Sequence, residues 1–121
     1  SRAAEAALFA AHHQLANLTV LIDLNGLQGI GYTKDILTLE PIADKWRAFG
    51  FTVAIANEGN DFKSLAQAHH ELVSATGPRC LIARTVKGHG ISYMQNKMEW
   101  HYLPMSDAQY EQARRETSPT N

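Results

Sequence analysis

Residues 18–29 read LTVLIDLNGLQG, and this stretch decides how the rest of the chain is interpreted. A mostly apolar run such as residues 18–24 is typical of a strand buried on both faces of a parallel sheet. The pair Asn25-Gly26 follows it, which predicts that the amide lies on the rim of the sheet, where open α/β sheets bind ligands. The alternative is that Asn25 only forms a turn, as Asn-Gly pairs commonly do.

The other segments alternate between helical and strand patterns. Predicted strands span about residues 18–24, 51–55 and 79–86, and predicted helices span about residues 1–15, 41–50, 61–75 and a segment starting at 106. Nearly continuous apolar strands between helices predict an α/β fold, a parallel sheet with helices on both faces. A helix covering such a sheet normally follows a strand, so we expect the N-terminal part of the fold to be missing.

Helical spacing predicts which side chains face the sheet. They are Ala4, Leu8, Ala11 and Leu15 in the first helix, Ile42, Trp46 and Phe49 in the second, and Phe62, Leu65 and Leu72 in the third. Pro41 near the start and Gly50 after the end are typical boundaries of the second helix. Ser106 and Gln109 predict a capping box at the start of the last helix.

Composition limits the classes of function. The chain of 121 residues has room for one domain, predicted over residues 1–116 with a polar tail at 117–121. It has 11 Lys and Arg against 12 Asp and Glu, which argues against a nucleic-acid or membrane-surface partner. No apolar stretch approaches the roughly 20 residues of a membrane span. The single cysteine, Cys80, lies in an apolar run, which favours a core position and fits a reducing cytoplasm.

The histidines do not form a metal site by their spacing. Four of the six occur as the adjacent pairs His12-His13 and His69-His70 on predicted helices. Neighbours on a helix point about 100° apart, so neither pair can chelate one ion. No Ser/His/Asp, Cys/His or paired-carboxylate arrangement follows from the spacing either.

Four sites could carry chemistry, and each has a plainer alternative. Asn25 and a nearby carbonyl offer the oxygen ligands that Mg²⁺ prefers. The segment Lys87-Gly88-His89-Gly90 follows the third strand and suits a phosphate, or is a simple turn. His101 could be catalytic, although an isolated histidine is more often a surface or hydrogen-bonding residue. Glu5, among alanines, needs a partner if it is packed, or else faces solvent.

Taken together, these residues resemble transketolase. The segments that carry the resemblance are residues 5–6, 10–15, 17–19, 23–28, 39–45, 48–50, 87–94 and 100–101. The part that is similar is the N-terminal domain, which binds the diphosphate of thiamin diphosphate. The resemblance covers about residues 3–116, and the order and spacing of its segments are more specific than any one motif.

The resemblance implies a role for each matching residue. The Asn25 side-chain oxygen and the Leu27 carbonyl would ligate Mg²⁺, which would bridge the cofactor's diphosphate oxygens. Lys87 and His101 would approach the cofactor and its diphosphate. Glu5 matches a glutamate of the carboxylate network at the subunit interface, and with His101 it is the predicted catalytic residue. Gly88 and Gly90, in the same loop as Lys87, would shape the backbone that binds the cofactor.

The resemblance also implies an activity and partners. The enzyme would transfer a two-carbon ketol unit from a ketose or its phosphate to an aldose. The residue that activates the cofactor's pyrimidine belongs to another domain, so this chain alone should be inactive. That domain would lie on further sequence or on a second subunit, and two such pairs would form a heterotetramer.

Three positions depart from the family pattern. The Gly-Asp-Gly motif, whose aspartate supplies the first Mg²⁺ ligand, is absent and is expected a few residues before Ser1. Gly29 stands where many members carry an aliphatic side chain near the cofactor. Tyr102 follows His101 where glycine is common, and it could narrow the substrate entrance or alter specificity.

Three rival functions remain at this point. One is another thiamin diphosphate enzyme, a deoxyxylulose-phosphate synthase or a 2-oxo acid decarboxylating component, although residues 92–94 are more similar to transketolase. The second is a non-catalytic remnant that serves as a partner-binding scaffold. The third, a Rossmann-like dinucleotide domain, is disfavoured because no G-x-G-x-x-G follows a strand.

Overall fold

The computed structural model describes residues 2–118, and these alternate helices with strands. The helices and strands, in chain order, are α1 (Arg2–His12), β1 (Thr19–Leu24), β2 (Leu27–Gln28), β3 (Gly31–Tyr32), α2 (Thr33–Ile36), α3 (Ile42–Ala48), β4 (Thr52–Ala56), α4 (Phe62–Leu72), β5 (Arg79–Arg84), a 3-10 helix (Met98–His101) and α5 (Asp107–Glu116). None of the helices within residues 2–118 has the length and apolarity that a membrane span requires.

The described residues divide into two compact units. The first unit contains residues 2–24 and 38–85, and the second contains residues 25–37 and 86–118. The first unit therefore holds the main sheet with α1, α3 and α4. The second unit holds the β2–β3 hairpin, α2, the 3-10 helix and α5.

The main sheet is parallel, as the sequence predicted. Its strand order is β1-β5-β4, and β5 pairs in parallel with both neighbours. The centre of the sheet is strongly buried, since Cys80 and Ile82 of β5 are both 0% exposed. Burial of the Cys80 thiol raises its pKa to about 11, because the thiolate would lose its hydration. Cys80 is thus a core residue, which confirms the prediction.

Helices cover both faces of this sheet. On one face, side chains of α1 and α3 pack with alternate residues of the three strands, including Ala7, Ala10, Ile42, Val20 and Ile82. On the other face, Ala68 and Leu72 of α4 pack against Ala54 and Leu81. Strand side chains alternate between faces, so each strand contributes to both clusters. The predicted α/β class is confirmed.

Two predicted core residues are exposed. Phe62 is 89% exposed and Leu8 is 57% exposed, so both predictions were wrong. In α4 the buried side runs along Leu65, Ala68 and Leu72, and helical geometry puts Phe62 roughly 90° away from its centre. In α1, Leu8 lies about 130° around the helix from the midpoint of the buried residues Ala7 and Ala10.

Two predicted helix starts are confirmed by capping contacts. In α4, the Asp61 carboxylate accepts from the Ser64 N–H at 2.8 Å. At α5, the Ser106 hydroxyl accepts from the Gln109 N–H at 3.3 Å, and the Gln109 side chain accepts from the Ser106 N–H at 2.8 Å. This is the predicted capping box, which satisfies two N–H groups that the helix leaves unpaired.

Candidate functional site

The site residues Asn25 and Lys87 follow β1 and β5, two neighbouring strands that end at the same edge of the sheet. Leu24 and Arg84, the last residues of β1 and β5, are register partners in the parallel ladder. The Thr85 N–H donates to the Leu24 carbonyl at 3.3 Å, which extends the pairing by one residue. Asn25 is the next residue after β1, and Lys87 is the third after β5. Carboxyl ends of adjacent parallel strands are where such sheets bind ligands.

Asn25 forms a local turn through its side chain. Its Oδ1 accepts from the Leu27 N–H at 2.9 Å, and Gly26 between them has a φ of 74°. A positive φ is favourable for glycine, which explains the Asn-Gly pair. An amide oxygen has two lone pairs, so the turn uses one and leaves the other for a ligand. The turn and ligand interpretations of Asn25 are therefore compatible.

The segment after β5 forms a second turn. The Asn96 N–H donates to the Lys87 carbonyl at 2.9 Å, and the Ile91 N–H donates to the Gly88 carbonyl at 3.2 Å. Gly88 has a φ of 74°, and a Cβ there would lie 2.6 Å from the Met94 carbonyl oxygen. Glycine is thus required at 88 by both conformation and space. Gly90 has a φ of 89° but open surroundings, so only its conformation favours glycine.

The segment 86–97 is fastened to α5 by one carboxylate. Glu116 accepts from the Ser92 N–H at 2.6 Å and from the Ser92 hydroxyl at 2.7 Å. Gln112 donates to the same carboxylate at 2.8 Å. Hydrogen bonds from Gln112 and Ser92 lower the pKa of the Glu116 carboxyl, because they favour its charged form. These contacts anchor Ser92, which follows the Lys87 turn.

His101 ends the 3-10 helix, whose position is fixed by Trp100. The Trp100 Nε1–H donates to the Tyr93 carbonyl at 2.9 Å, and the two rings pack edge to face with centroids 5.0 Å apart. Trp100 is therefore a packing residue. The His101 ring contacts the next residue, Tyr102, at a centroid distance of 4.7 Å.

These elements enclose one pocket of about 120 Å³ in the second unit. Four residues singled out in the sequence line it, namely Asn25, Leu27, Lys87 and His101. Gln28, Gly29 and Met98 complete the lining. The structure thus brings together the two turns and the histidine that the sequence separates by up to 76 positions, from 25 to 101.

Three predicted site residues do not line this pocket. Gly88 and Gly90 belong to the turn beside Lys87, where they set the backbone conformation. Glu5 is exposed in the first turn of α1, in the first unit. The predicted roles of these three residues remain predictions.

Sequence reasoning missed Gln28 and Met98 as lining residues. Gln28 follows Leu27 in the short strand β2, and its proximity to Asn25 was the available signal. Met98 and His101 are three residues apart in a 3-10 helix, which has about three residues per turn and places them on one side. Recognising that signal required knowing that residues 98–101 form such a helix.

The pocket residues fit a magnesium-bound diphosphate better than a metal centre built from protein alone. Within residues 2–118 there is no group of three or more His, Cys, Asp or Glu that could hold a metal. The second lone pair of Asn25 Oδ1 and the backbone carbonyls are hard oxygen donors, and Lys87 brings a positive charge. Mg²⁺ typically binds through few protein ligands together with phosphate oxygens and water.

Comparison with known proteins assigns the family. The family model described as the thiamine diphosphate binding domain of transketolase matches residues 2–119, nearly the full length of 121 residues. The chain belongs to the transketolase family. The resemblance noted in the sequence is thereby confirmed for the transketolase domain as a whole.

Curated transketolase relatives include proteins named as subunits. The chain is 42% identical over 85% of its length to an apulose-4-phosphate transketolase subunit of Actinobacillus succinogenes, and covers 37% of that protein. It is 34% identical over 90% of its length to "6-deoxy-6-sulfo-D-fructose transketolase subunit SqwG" of Clostridium sp., covering 40%. This transketolase chain thus spans about two fifths of the length of these relatives.

Solved transketolase structures share the fold. The transketolase of Campylobacter jejuni superposes with a TM-score of 0.83 at 23% identity, over 93% of this chain and 17% of that one. The transketolase of Leishmania mexicana superposes with a TM-score of 0.82 at 27% identity, over 92% of this chain and 17% of that one. The arrangement of helices around the parallel sheet is therefore that of transketolase.

Proposed function

We propose that this chain supplies the diphosphate-binding part of a transketolase-type transferase. The reaction is transfer of a two-carbon ketol unit from a ketose, or its phosphate, to an aldose. The observation that carries the proposal is the pocket in the second unit, which gathers Asn25, Leu27, Lys87 and His101. These are the residues that the family resemblance associates with thiamin diphosphate and Mg²⁺.

Each lining residue has a separate task in this proposal. Asn25 Oδ1 and the Leu27 carbonyl ligate Mg²⁺, and Lys87 offsets the negative charge of the diphosphate. His101 donates a hydrogen bond to the diphosphate end of the cofactor or to a substrate oxygen. When bound, thiamin diphosphate supplies the nucleophile and the electron sink for cleavage of the C–C bond.

The pocket is too small to be the whole active site. Its volume of about 120 Å³ is below the roughly 300–1,000 Å³ of a complete small-molecule site. Its size suits a diphosphate group, so the rest of the cofactor and the sugar would lie outside this pocket. The further Mg²⁺ ligand would come from the Gly-Asp-Gly motif expected a few residues before Ser1.

We assign the remaining site to a partner subunit. Relatives that are themselves named as transketolase subunits imply a second subunit, which in this proposal carries the pyrimidine-binding site. Two such pairs form a heterotetramer, with Glu5 in the carboxylate network at the subunit interface. Glu5 is exposed on α1 and therefore accessible to a partner.

Cofactor binding is the first test of the proposal. The chain purified with its partner subunit is titrated with thiamin diphosphate at fixed Mg²⁺, and binding is followed by calorimetry. We expect saturable binding that disappears when Mg²⁺ is chelated. Absence of saturable binding would instead support a non-catalytic scaffold.

His101 gives a matched pair of variants for the same titration. His101→Ala should weaken cofactor binding or lower turnover without changing the far-ultraviolet circular dichroism, because it removes a pocket side chain from an exposed position. His70→Ala is the control, since His70 is an exposed histidine of α4 that does not line the pocket. Equal effects of both variants would contradict the assigned role.

Substrate assays separate the rival thiamin diphosphate enzymes. Apulose 4-phosphate, which appears in the name of the relative at 42% identity, is the first donor to test with an aldose acceptor. Ketol transfer supports the proposal. Decarboxylation of pyruvate without ketol transfer would favour a deoxyxylulose-phosphate synthase or a 2-oxo acid decarboxylating component.

A further inference from the structure

The hairpin that carries Leu27 has little stability of its own. It consists of β2 and β3, two residues each, with Leu27 opposite Tyr32 and Gln28 opposite Gly31. Isolated two-stranded hairpins are marginally stable in water even at greater length. In the connection between the strands, Ile30 is 85% exposed. Contacts from outside the hairpin must therefore hold it at the pocket.

Tyr102 supplies such a contact at the hairpin turn. Its hydroxyl donates to the Gly29 carbonyl oxygen, 73 positions away in the chain. Its ring also packs edge to face on His101, with centroids 4.7 Å apart. Tyr102 thereby touches two components of the pocket lining, the hairpin and the histidine.

The space beside Gly29 is filled by the same two residues. A Cβ at position 29 would lie 3.6 Å from Tyr102 Oη and 4.0 Å from His101 Nε2, which is ordinary contact. A methyl group therefore fits, but the longer branches of an isoleucine would extend towards Tyr102 and His101. Position 29 can be small because position 102 is large.

We propose that Tyr102 is a positioning residue that fixes the hairpin through the Gly29 carbonyl and thereby sets cofactor affinity. The inference rests on the proposed function, because the atom it positions is the Leu27 carbonyl assigned to Mg²⁺. The sequence departs from the family pattern at Gly29 and at Tyr102. These two departures then compensate each other, because the large Tyr102 side chain fills space that the small Gly29 leaves. Neither alone would preserve both the packing and the tether.

The first test removes only the hydroxyl. In Tyr102→Phe, amide hydrogen exchange of residues 27–32 should accelerate between about twofold and tenfold, the effect of losing one neutral hydrogen bond. This exchange is measured without cofactor on the protein purified with its partner. The dissociation constant of thiamin diphosphate at fixed Mg²⁺ should rise by a similar factor. Turnover at saturating cofactor should stay within about twofold, because the tether acts on binding.

A matched control removes a hydroxyl elsewhere. Tyr110→Phe removes the hydroxyl of an exposed tyrosine of α5 that does not line the pocket, so exchange and affinity should match the unsubstituted protein. Gly29→Ile should weaken cofactor binding, because its branches meet Tyr102 and His101. The double variant Gly29→Ile/Tyr102→Gly should bind better than Gly29→Ile alone. A domain that is merely destabilised would not show this rescue.

Each result bears on the proposal separately from the enzyme assignment. Unchanged exchange and affinity in Tyr102→Phe, or additive losses in the double variant, would overturn the positioning role. If the unsubstituted protein bound no thiamin diphosphate, the proposed function would fail while the exchange measurement still tested the tether.

Discussion

At the scale of single residues, Asn25 forms a structural turn and has a proposed role as a magnesium ligand. One lone pair of its Oδ1 accepts from the Leu27 N–H at 2.9 Å, and the second is available to a cation. The same bond brings Leu27, the other proposed ligand, into the turn. Folding of residues 25–27 therefore arranges both oxygen donors before any ligand arrives.

Asn25→Ala should weaken Mg²⁺-dependent binding of thiamin diphosphate by at least about tenfold, because it removes a hydrogen-bonding atom that faces a charged ligand. The free energy of unfolding should change by about 1 kcal/mol, the cost of one turn hydrogen bond. Calorimetric titration and denaturant unfolding measure the two quantities. Asn25→Asp keeps an oxygen acceptor and should retain binding. Unchanged affinity in Asn25→Ala would count against the ligand role.

At the scale of elements, α5 acts as a support for the segment after β5. Glu116 at its C-terminal end binds Ser92, and Tyr93 donates from its hydroxyl to the Gln109 carbonyl at 2.8 Å. The capping box at Ser106 fixes the other end of α5. The helix thus holds Ser92 and Tyr93, the packing partner of Trp100, in the segment that follows Lys87.

The Glu116 contact should make this support pH-dependent. Its carboxyl pKa is lowered from 4.5 in the folded state, so the stabilisation is complete above about pH 4.5 and is lost as the pH falls through the lowered value. Hydrogen exchange of residues 90–95 should therefore accelerate in that range beyond the intrinsic pH effect. Glu116→Gln, which cannot ionise, should abolish the extra acceleration, whereas Glu111→Gln should retain it. The same profile in both variants would contradict the mechanism.

At the scale of the whole molecule, stability depends on the two apolar clusters around the main sheet. Leu72 of α4 is 1% exposed and belongs to one of these clusters, whereas Phe62 of the same helix is 89% exposed. Phe62 forms part of an apolar groove with Leu21, Leu65 and Leu81. We therefore expect burial, rather than side-chain size, to decide how much each residue contributes to the free energy of unfolding.

Leu72→Ala should lower the free energy of unfolding by about 2–5 kcal/mol, the usual cost of emptying a buried site. Phe62→Ala should change it by no more than about 0.5 kcal/mol, as is typical of exposed positions. Denaturant unfolding of the two variants gives the comparison directly. A large loss in Phe62→Ala would mean that this side chain is covered in solution.

Local patterns predicted the larger elements well, because helical periodicity, caps and apolar strands act over a few residues. No comparable signal marked the β2–β3 hairpin, α2 or the 3-10 helix, since segments of two to four residues have too few positions to show a period. Phe62 and Leu8 were misplaced because both lie near the edge of an apolar stripe. Whether a side chain at the edge of the stripe is buried depends on how the helix packs against the sheet.

The chain's order of residues alone determined the parallel α/β class, the family and the placement of Asn25 and Lys87 after strands that end together. Tertiary structure decided that Leu27, Met98 and His101 share a pocket with them, and that Tyr102 meets Gly29. The physical reason is the separation along the sequence between the residues that determine each feature. Strand ends and turns follow from neighbouring residues, whereas a contact across 73 positions exists only after the intervening chain has folded.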